Sequence, residues 1–147
     1  MKSVVQRVKS AKVEVDGKVI GSVRKGFLVL LGVCDEDTDH DKIWLADKIA
    51  GLRVFDDENG RMNLALSDVG GEVLIVSQFT LFGNCKKGKR PDFTSAGKPD
   101  YAKKMYLEFV EYMKTKIEVV KPGEFGADML VYLENDGPVT LIIDSKE

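Results

Sequence analysis

The sequence predicts an α+β fold: a single domain over residues 1–147, with a largely antiparallel, barrel-like β-sheet and two helices. Three observations carry that expectation. Short apolar stretches of strand length, alternating or continuous, recur along the chain. Turn signals separate them, Asp16-Gly17 foremost. Only two stretches, after Thr38 and after Asp100, carry the three-and-four spacing of an amphipathic helix. A chain of 147 residues can also bury roughly 68–70% of its unfolded surface, so one core suffices without disulfide staples.

Val4 to Val8 reads as a short strand. Val13-Glu14-Val15 and Lys18-Val19-Ile20 flank Asp16-Gly17, residues that tolerate the positive φ of a tight hairpin turn. Phe27 to Val33 is an unbroken apolar run, as a strand covered on both faces requires. Thr38 or Asp39 caps a helix running to Ala50, with acidic residues at its electropositive start and Gly51 as a stop. Its expected buried stripe is Ile43, Ala46, Ile49 and Ala50. Leu52 to Phe55 reads as a strand, Asp57 to Gly60 as a turn, and Glu72 to Leu81 as a longer strand entered through Gly70-Gly71. Residues 82–98 show no period and are expected to be irregular. Asp100 caps a second helix to Lys116, burying Ala102, Met105, Phe109 and Met113. Met129 to Glu134 and Val139 to Ile143 are the final strands, on either side of Asn135-Asp136-Gly137-Pro138.

Several kinds of chemistry are excluded at this level. Cys34 and Cys85 form no C-x-x-C pair, and with His40 the only histidine a structural zinc site lacks its ligands. No metal and no cofactor is expected. His40 sits in the acidic run Asp35 to Asp41, where a solvated helix-start residue is the simpler reading, so histidine-based nucleophilic catalysis is not expected. That run is not a calcium loop, because Lys42 or His40 stands where the sharp turn needs glycine. Gly83 to Arg90 nearly matches the phosphate-cradling G-x-x-x-x-G-K-[ST] loop, but Arg90 replaces the magnesium-binding hydroxyl. Pro91 also biases Arg90 away from helical geometry just where the helix should begin. The first residues lack the apolar core of a signal peptide, and no run approaches the roughly 18–20 apolar residues of a membrane span. Scattered cysteines suit a reducing compartment, so a cytoplasmic protein is expected.

What remains is a basic loop and two motifs. Lys86, Lys87, Lys89, Arg90 and Lys98 face a single acid, Asp92, although the whole chain has a net charge of −2. Taken alone, such a cluster reads first as a solvated loop and only second as a phosphate-binding patch. With Phe82 and Phe93 nearby it could hold a single-stranded nucleic-acid end. The motifs are Ser77-Gln78-Phe79-Thr80-Leu81 and Asn135-Asp136-Gly137-Pro138-Val139-Thr140. Each has a plain alternative, as strand-end hydrogen bonding or an ordinary tight turn. Together, in this order and spacing, they resemble the D-aminoacyl-tRNA deacylase family. The likeness extends to Val4-Val5-Gln6-Arg7-Val8, Gly88 to Phe93, and Phe125-Gly126-Ala127-Asp128-Met129, and so spans the chain.

The resemblance implies an enzyme that hydrolyses the ester between a D-amino acid and the terminal adenosine of tRNA while rejecting L-aminoacyl-tRNA. It implies Ser77, Gln78, Phe79 and Thr80 on the catalytic side, with the Phe79 N–H as oxyanion donor and Gln78 beside it. It implies Gly137, Pro138, Asn135, Thr140, Arg7 and Met129 around the substrate, and Lys86, Lys87, Lys89 and Arg90 on the tRNA. In the family the Gly-Pro bond is cis and its carbonyls face the substrate ammonium. The family is homodimeric, the Gly137-Pro138 turn of one chain entering the partner's site, with Arg7 holding that turn. Glycyl-tRNA mischarged on tRNA-Ala, having no Cβ to exclude, is expected to be cleaved too. Thr80 is the obvious nucleophile, yet no residue in view could act as its base. Water activated by the ribose 2′-hydroxyl is therefore the expected attacker. The competing readings are a non-catalytic tRNA-binding module and, further off, a nucleotide-binding loop.

Overall fold

The N-terminal stretch, expected as separate short strands, is continuous in the computed structural model, which describes residues 1–147. β1 spans Lys2–Val15 and returns as β2, Lys18–Val23, through Asp16 (φ 50°) and Gly17 (φ 77°). Two successive left-handed residues match the right-handed twist of the flanking strands. β1 is the spine of the sheet. It pairs antiparallel with β2, with β3 (Gly26–Gly32) and, along its other edge, with β8 (Leu130–Asp144).

The sheet is mixed, which corrects the largely antiparallel expectation. β3 pairs parallel with β6 (Glu72–Ser77), and β6 pairs parallel with β7 (Val120–Pro122). Parallel neighbours need long crossovers. Between β3 and β6 the chain places α1 (Asp39–Gly51) and a small hairpin, β4 (Phe55–Asp56) with β5 (Met62–Leu64). Between β6 and β7 it places α2 (Pro99–Lys114). β7, too short to register as a pattern, then meets β2: a Cβ on Gly21 would stand 2.9 Å from the Pro122 carbonyl oxygen. That contact bends the sheet nearly closed.

Strand alternation sorts the apolar residues into two cores. Phe27, Val29, Val73 and Ile75 meet Leu45, Ile49, Met105 and Phe109 of the helices, whereas Leu28, Leu74 and Val76 meet Val8 and Val13 inside the barrel. The Tyr106 hydroxyl donates to the Ile75 carbonyl (2.7 Å) and accepts from the Gly123 N–H (3.1 Å), tying α2 to the end of β6; burial pushes its phenol up to about 12.

Several boundaries move. Leu52 to Phe55 contracts to the two-residue β4, because Arg53 Nε donates to Asn63 (2.9 Å) and the Val54 carbonyl accepts from Arg7 instead of a strand. The strand from Glu72 stops at Ser77. The two C-terminal strands merge into β8, with a register break against β1 around the Gly-Pro turn. α2 starts at Pro99 rather than being capped by Asp100, since Pro99 already carries helical φ and lacks an N–H needing a partner; it ends at Lys114. Ile43 is exposed and Asp41 is buried in its stead.

Asp41 turns inward because it has partners. It accepts from Lys146 Nζ (2.9 Å), Ser145 Oγ (2.7 Å) and the Thr38 N–H (2.8 Å). Burial pushes its carboxyl up, but the bonds from Lys146, Thr38 and Ser145 outweigh this and hold it far below the usual range. A depressed carboxylate adds stability above its unfolded pKa and loses it as pH falls through the folded value. Lys146→Met is therefore expected to lower Tm at about pH 7, and the gap from wild type should narrow progressively as pH falls below about 4. Thermal melts from about pH 3 to about pH 7 check this; a gap that widens on acidification contradicts it. No helix is long and apolar enough to cross a membrane.

Candidate active site

The first motif leaves β6 in a tight turn. Ser77 lies opposite Leu31, and the Gln78 N–H donates to the Leu31 carbonyl at 2.7 Å, fixing the turn to β3. The chain then coils into a short 3-10 helix, Phe79–Phe82, closed by Leu81 N–H to Gln78 O (3.2 Å) and Gly83 N–H to Thr80 O (2.9 Å). Gly32 permits this approach, since a Cβ there would lie 3.0 Å from the Gln78 carbonyl oxygen and 3.1 Å from the Phe82 ring. The first N–H groups of any helix lack internal acceptors. Here the Phe79 and Thr80 N–H groups have no acceptor anywhere in the chain. Both residues are exposed. The Gln78 amide donates to Thr80 Oγ1, and no histidine or carboxylate bonds the hydroxyl of Ser77 or Thr80. Phe79 rests edge-on against Phe93, ring centroids 5.3 Å apart.

The second motif is a braced turn on β8, with Gly137-Pro138 in the cis form. Arg7, only 8% exposed, donates from Nε to the Asp136 carbonyl (2.9 Å) and from a terminal nitrogen to the Val54 carbonyl (2.5 Å). The Asp136 and Asp56 carboxylates lie 3.4 and 3.7 Å from the same guanidinium. Asn135 Nδ2 donates to the Arg7 carbonyl (3.0 Å) and to the Val139 carbonyl (3.4 Å). A Cβ on Gly137 would lie 2.7 Å from Asn135 Oδ1, so that side chain fills the place glycine leaves open. Thr140 accepts from Gln6 Nε2 at 3.3 Å. Gly137 and Pro138 are themselves exposed.

The two motifs are not neighbours along the sheet of one chain. β1 and β3 lie between β8 and β6, a separation of about 14 Å at the usual strand spacing. Met129 falls on the Ser77 side, packed beside Val76 and Gly123. Val54 and Asp56, which brace Arg7, carried no signal in the sequence, because one acts through a backbone carbonyl and the other is an ordinary surface acid.

Beyond the 3-10 helix, Asn84 and Asp92 pair backbone to backbone (2.8 and 3.0 Å) and close the basic loop at its base. Lys86, Lys87, Lys89 and Arg90 stand exposed at its tip and join no ion pair. Asp92, the loop's acid, accepts from the Thr94 N–H (2.9 Å) and hydroxyl (3.2 Å). After the loop no helix begins until Pro99, so the helix N-terminus that a nucleotide-cradling loop requires directly behind it is missing.

Unclaimed backbone donors beside an unpaired cationic loop have the chemistry to stabilise an oxyanion on an anionic ligand. Comparison with known proteins narrows the class. The chain belongs to the D-Tyr-tRNA(Tyr) deacylase family, whose model matches residues 4–144. It is 60% identical to the D-aminoacyl-tRNA deacylase of Clostridium tetani over 100% of this chain and 99% of that one. To the D-aminoacyl-tRNA deacylase of Thermosipho africanus it is 58% identical at the same coverage. Among solved structures it resembles a c-Myc DNA unwinding element binding protein, with TM-score 0.92, 42% identity and 98% of each chain covered. The fold also matches a probable eukaryotic D-amino acid tRNA deacylase, with TM-score 0.83 and 18% identity over 97% of each chain.

Proposed function

We propose that this protein hydrolyses the ester bond of D-aminoacyl-tRNA, releasing the free D-amino acid and tRNA. The observation that carries the reading is the pair of unclaimed N–H groups at Phe79 and Thr80. They can receive the carbonyl oxygen as it becomes an oxyanion, a role worth about 10²–10³ in rate per donor. With no base near Thr80, attack falls to water activated by the ribose 2′-hydroxyl, and Ser77, Gln78 and Thr80 position groups around it. The Gly137-Pro138 turn receives the substrate ammonium on its carbonyls and excludes an L side chain. The separation of the motifs within one chain favours a homodimer in which that turn completes the partner's site. Lys86, Lys87, Lys89 and Arg90 contact tRNA phosphates. Two free cysteines, Cys34 and Cys85, and an aminoacyl-tRNA substrate suit the cytoplasm.

The test is incubation with D-tyrosyl-tRNA, following the release of tyrosine. A purely tRNA-binding module would bind in a salt-sensitive way and leave the ester intact. Thr80→Ala is expected to retain turnover within about tenfold of wild type, because a positioning hydroxyl contributes far less than the 10²–10³ of an oxyanion donor. Acid quench and mass spectrometry supply the check, and an acyl group trapped on Thr80 would overturn the water mechanism.

A further inference from the structure

We propose that the cleft between Lys2 and Lys86 is a subsite for the phosphodiester preceding the terminal adenosine of the tRNA acceptor end. The proposal rests on the deacylase reading above. The cleft flanks the catalytic turn, encloses about 410 Å³, and is lined by Lys2, Phe82, Asn84, Lys86 and Ser95 among others. That volume lies within the range of small-ligand sites, roughly 300–1,000 Å³, and suits one nucleotide unit of a single strand.

Lys2 comes from the start of β1, remote in sequence from the basic loop, and the fold brings it there. Its Nζ sits 4.8 Å from the centroid of the Phe82 ring, a cation–π contact that holds the ammonium at the cleft. Asp144 lies opposite Lys2 in the sheet register, but its carboxylate accepts from the Lys146 N–H (2.9 Å) and forms no ion pair with Lys2. Across the cleft, the Lys86 N–H donates to Asn84 Oδ1 (2.9 Å), which sets the direction of the loop, and its side chain has no acidic partner. Two lysines without acidic partners therefore line one hollow, and such an arrangement concentrates anions. Phe82 belongs to the same 3-10 helix as Phe79 and Thr80, so a strand whose phosphate lies in the cleft presents its next nucleoside to the catalytic turn.

The experiment compares wild type, Lys2→Gln and Lys2→Arg on D-tyrosyl-tRNA and on the D-tyrosyl ester of adenosine, which has no phosphate. Lys2→Gln should lower kcat/KM several-fold on the tRNA and much less on the adenosine ester, while Lys2→Arg keeps most of the tRNA activity. A single-strand phosphate contact contributes about 0.7 to the log–log salt slope, so between about 50 and 200 mM salt the wild-type rate on tRNA should fall about 2.5-fold more than that of Lys2→Gln. Equal losses on both substrates, or an unchanged salt slope, overturn the subsite. A wild-type protein that cleaves neither substrate removes the deacylase reading itself, a result distinct from the failure of Lys2 alone.

Discussion

Purified enzyme is expected to release D-tyrosine from tRNA about a thousand times faster than L-tyrosine, and to cleave glycyl-tRNA as well. A thousandfold ratio corresponds to about 4 kcal/mol of exclusion. A pocket shaped for one side chain cannot deliver that across many substrates, since a methylene more or less is worth only about 1–3 kcal/mol. A wall of main chain can. Arg7 and Asn135 hold the Gly137-Pro138 turn through bonds of 2.9 Å to Asp136 and 3.0 and 3.4 Å to Arg7 and Val139. On the proposed reading, an L residue pinned by its amino group would direct Cβ into that backbone, a D residue would direct it to solvent, and glycine has none. Matched D-tyrosyl-, L-tyrosyl- and glycyl-tRNA, assayed side by side, decide the matter. Equal rates on the mirror-image esters, or intact glycyl-tRNA at enzyme levels that clear the D form, would reject steric exclusion.

Replacing Phe79 with proline should cost about 100- to 1,000-fold in kcat while leaving the fold intact, because it deletes one oxyanion donor and little else. Proline is well accepted at the first position of a helix, and the Phe79 N–H has no acceptor to lose. Phe79→Ala controls for the lost ring contact with Phe93 and should stay far more active than Phe79→Pro. The same variant tests the shared site. Gly137→Ala places a Cβ 2.7 Å from Asn135 Oδ1, forcing the turn to shift, and misplacement by about 1 Å can cost 10²-fold. Mixed after dissociation, Phe79→Pro and Gly137→Ala chains should recover about a quarter of wild-type activity, because half the dimers are mixed and each has one intact site of two. No recovery from well-formed mixed dimers would place both motifs in the service of their own chain.

Much of this was legible in residue order. The alternation in β1, the Asp16-Gly17 turn, the apolar run of β3 and the two helices are local patterns, each set by periodicity or by a residue's own torsional preference. The parallel pairings of β3, β6 and β7 were not legible. Partner and direction depend on where a crossover returns the chain, and the short β7 carries no period of its own. Ile43 was read as buried and is exposed because Asp41, drawn in by Lys146 and Ser145 from the far end of the chain, rotates the inward face of α1.

The candidate site divides along the same line. By itself the sequence determined which residues could carry the chemistry: the Ser77–Leu81 and Asn135–Thr140 motifs, the basic loop, and the lack of any histidine able to serve as base. Only the tertiary structure decided that the strand ends at Ser77 and leaves the Phe79 and Thr80 N–H groups unclaimed, that Arg7 reaches from Val54 to Asp136, and that Lys2 joins the basic loop across Phe82. Residue types and periods are properties of neighbours along the chain. Free donors, braces and shared hollows are relations between distant segments, and these exist only once the sheet has closed around its core.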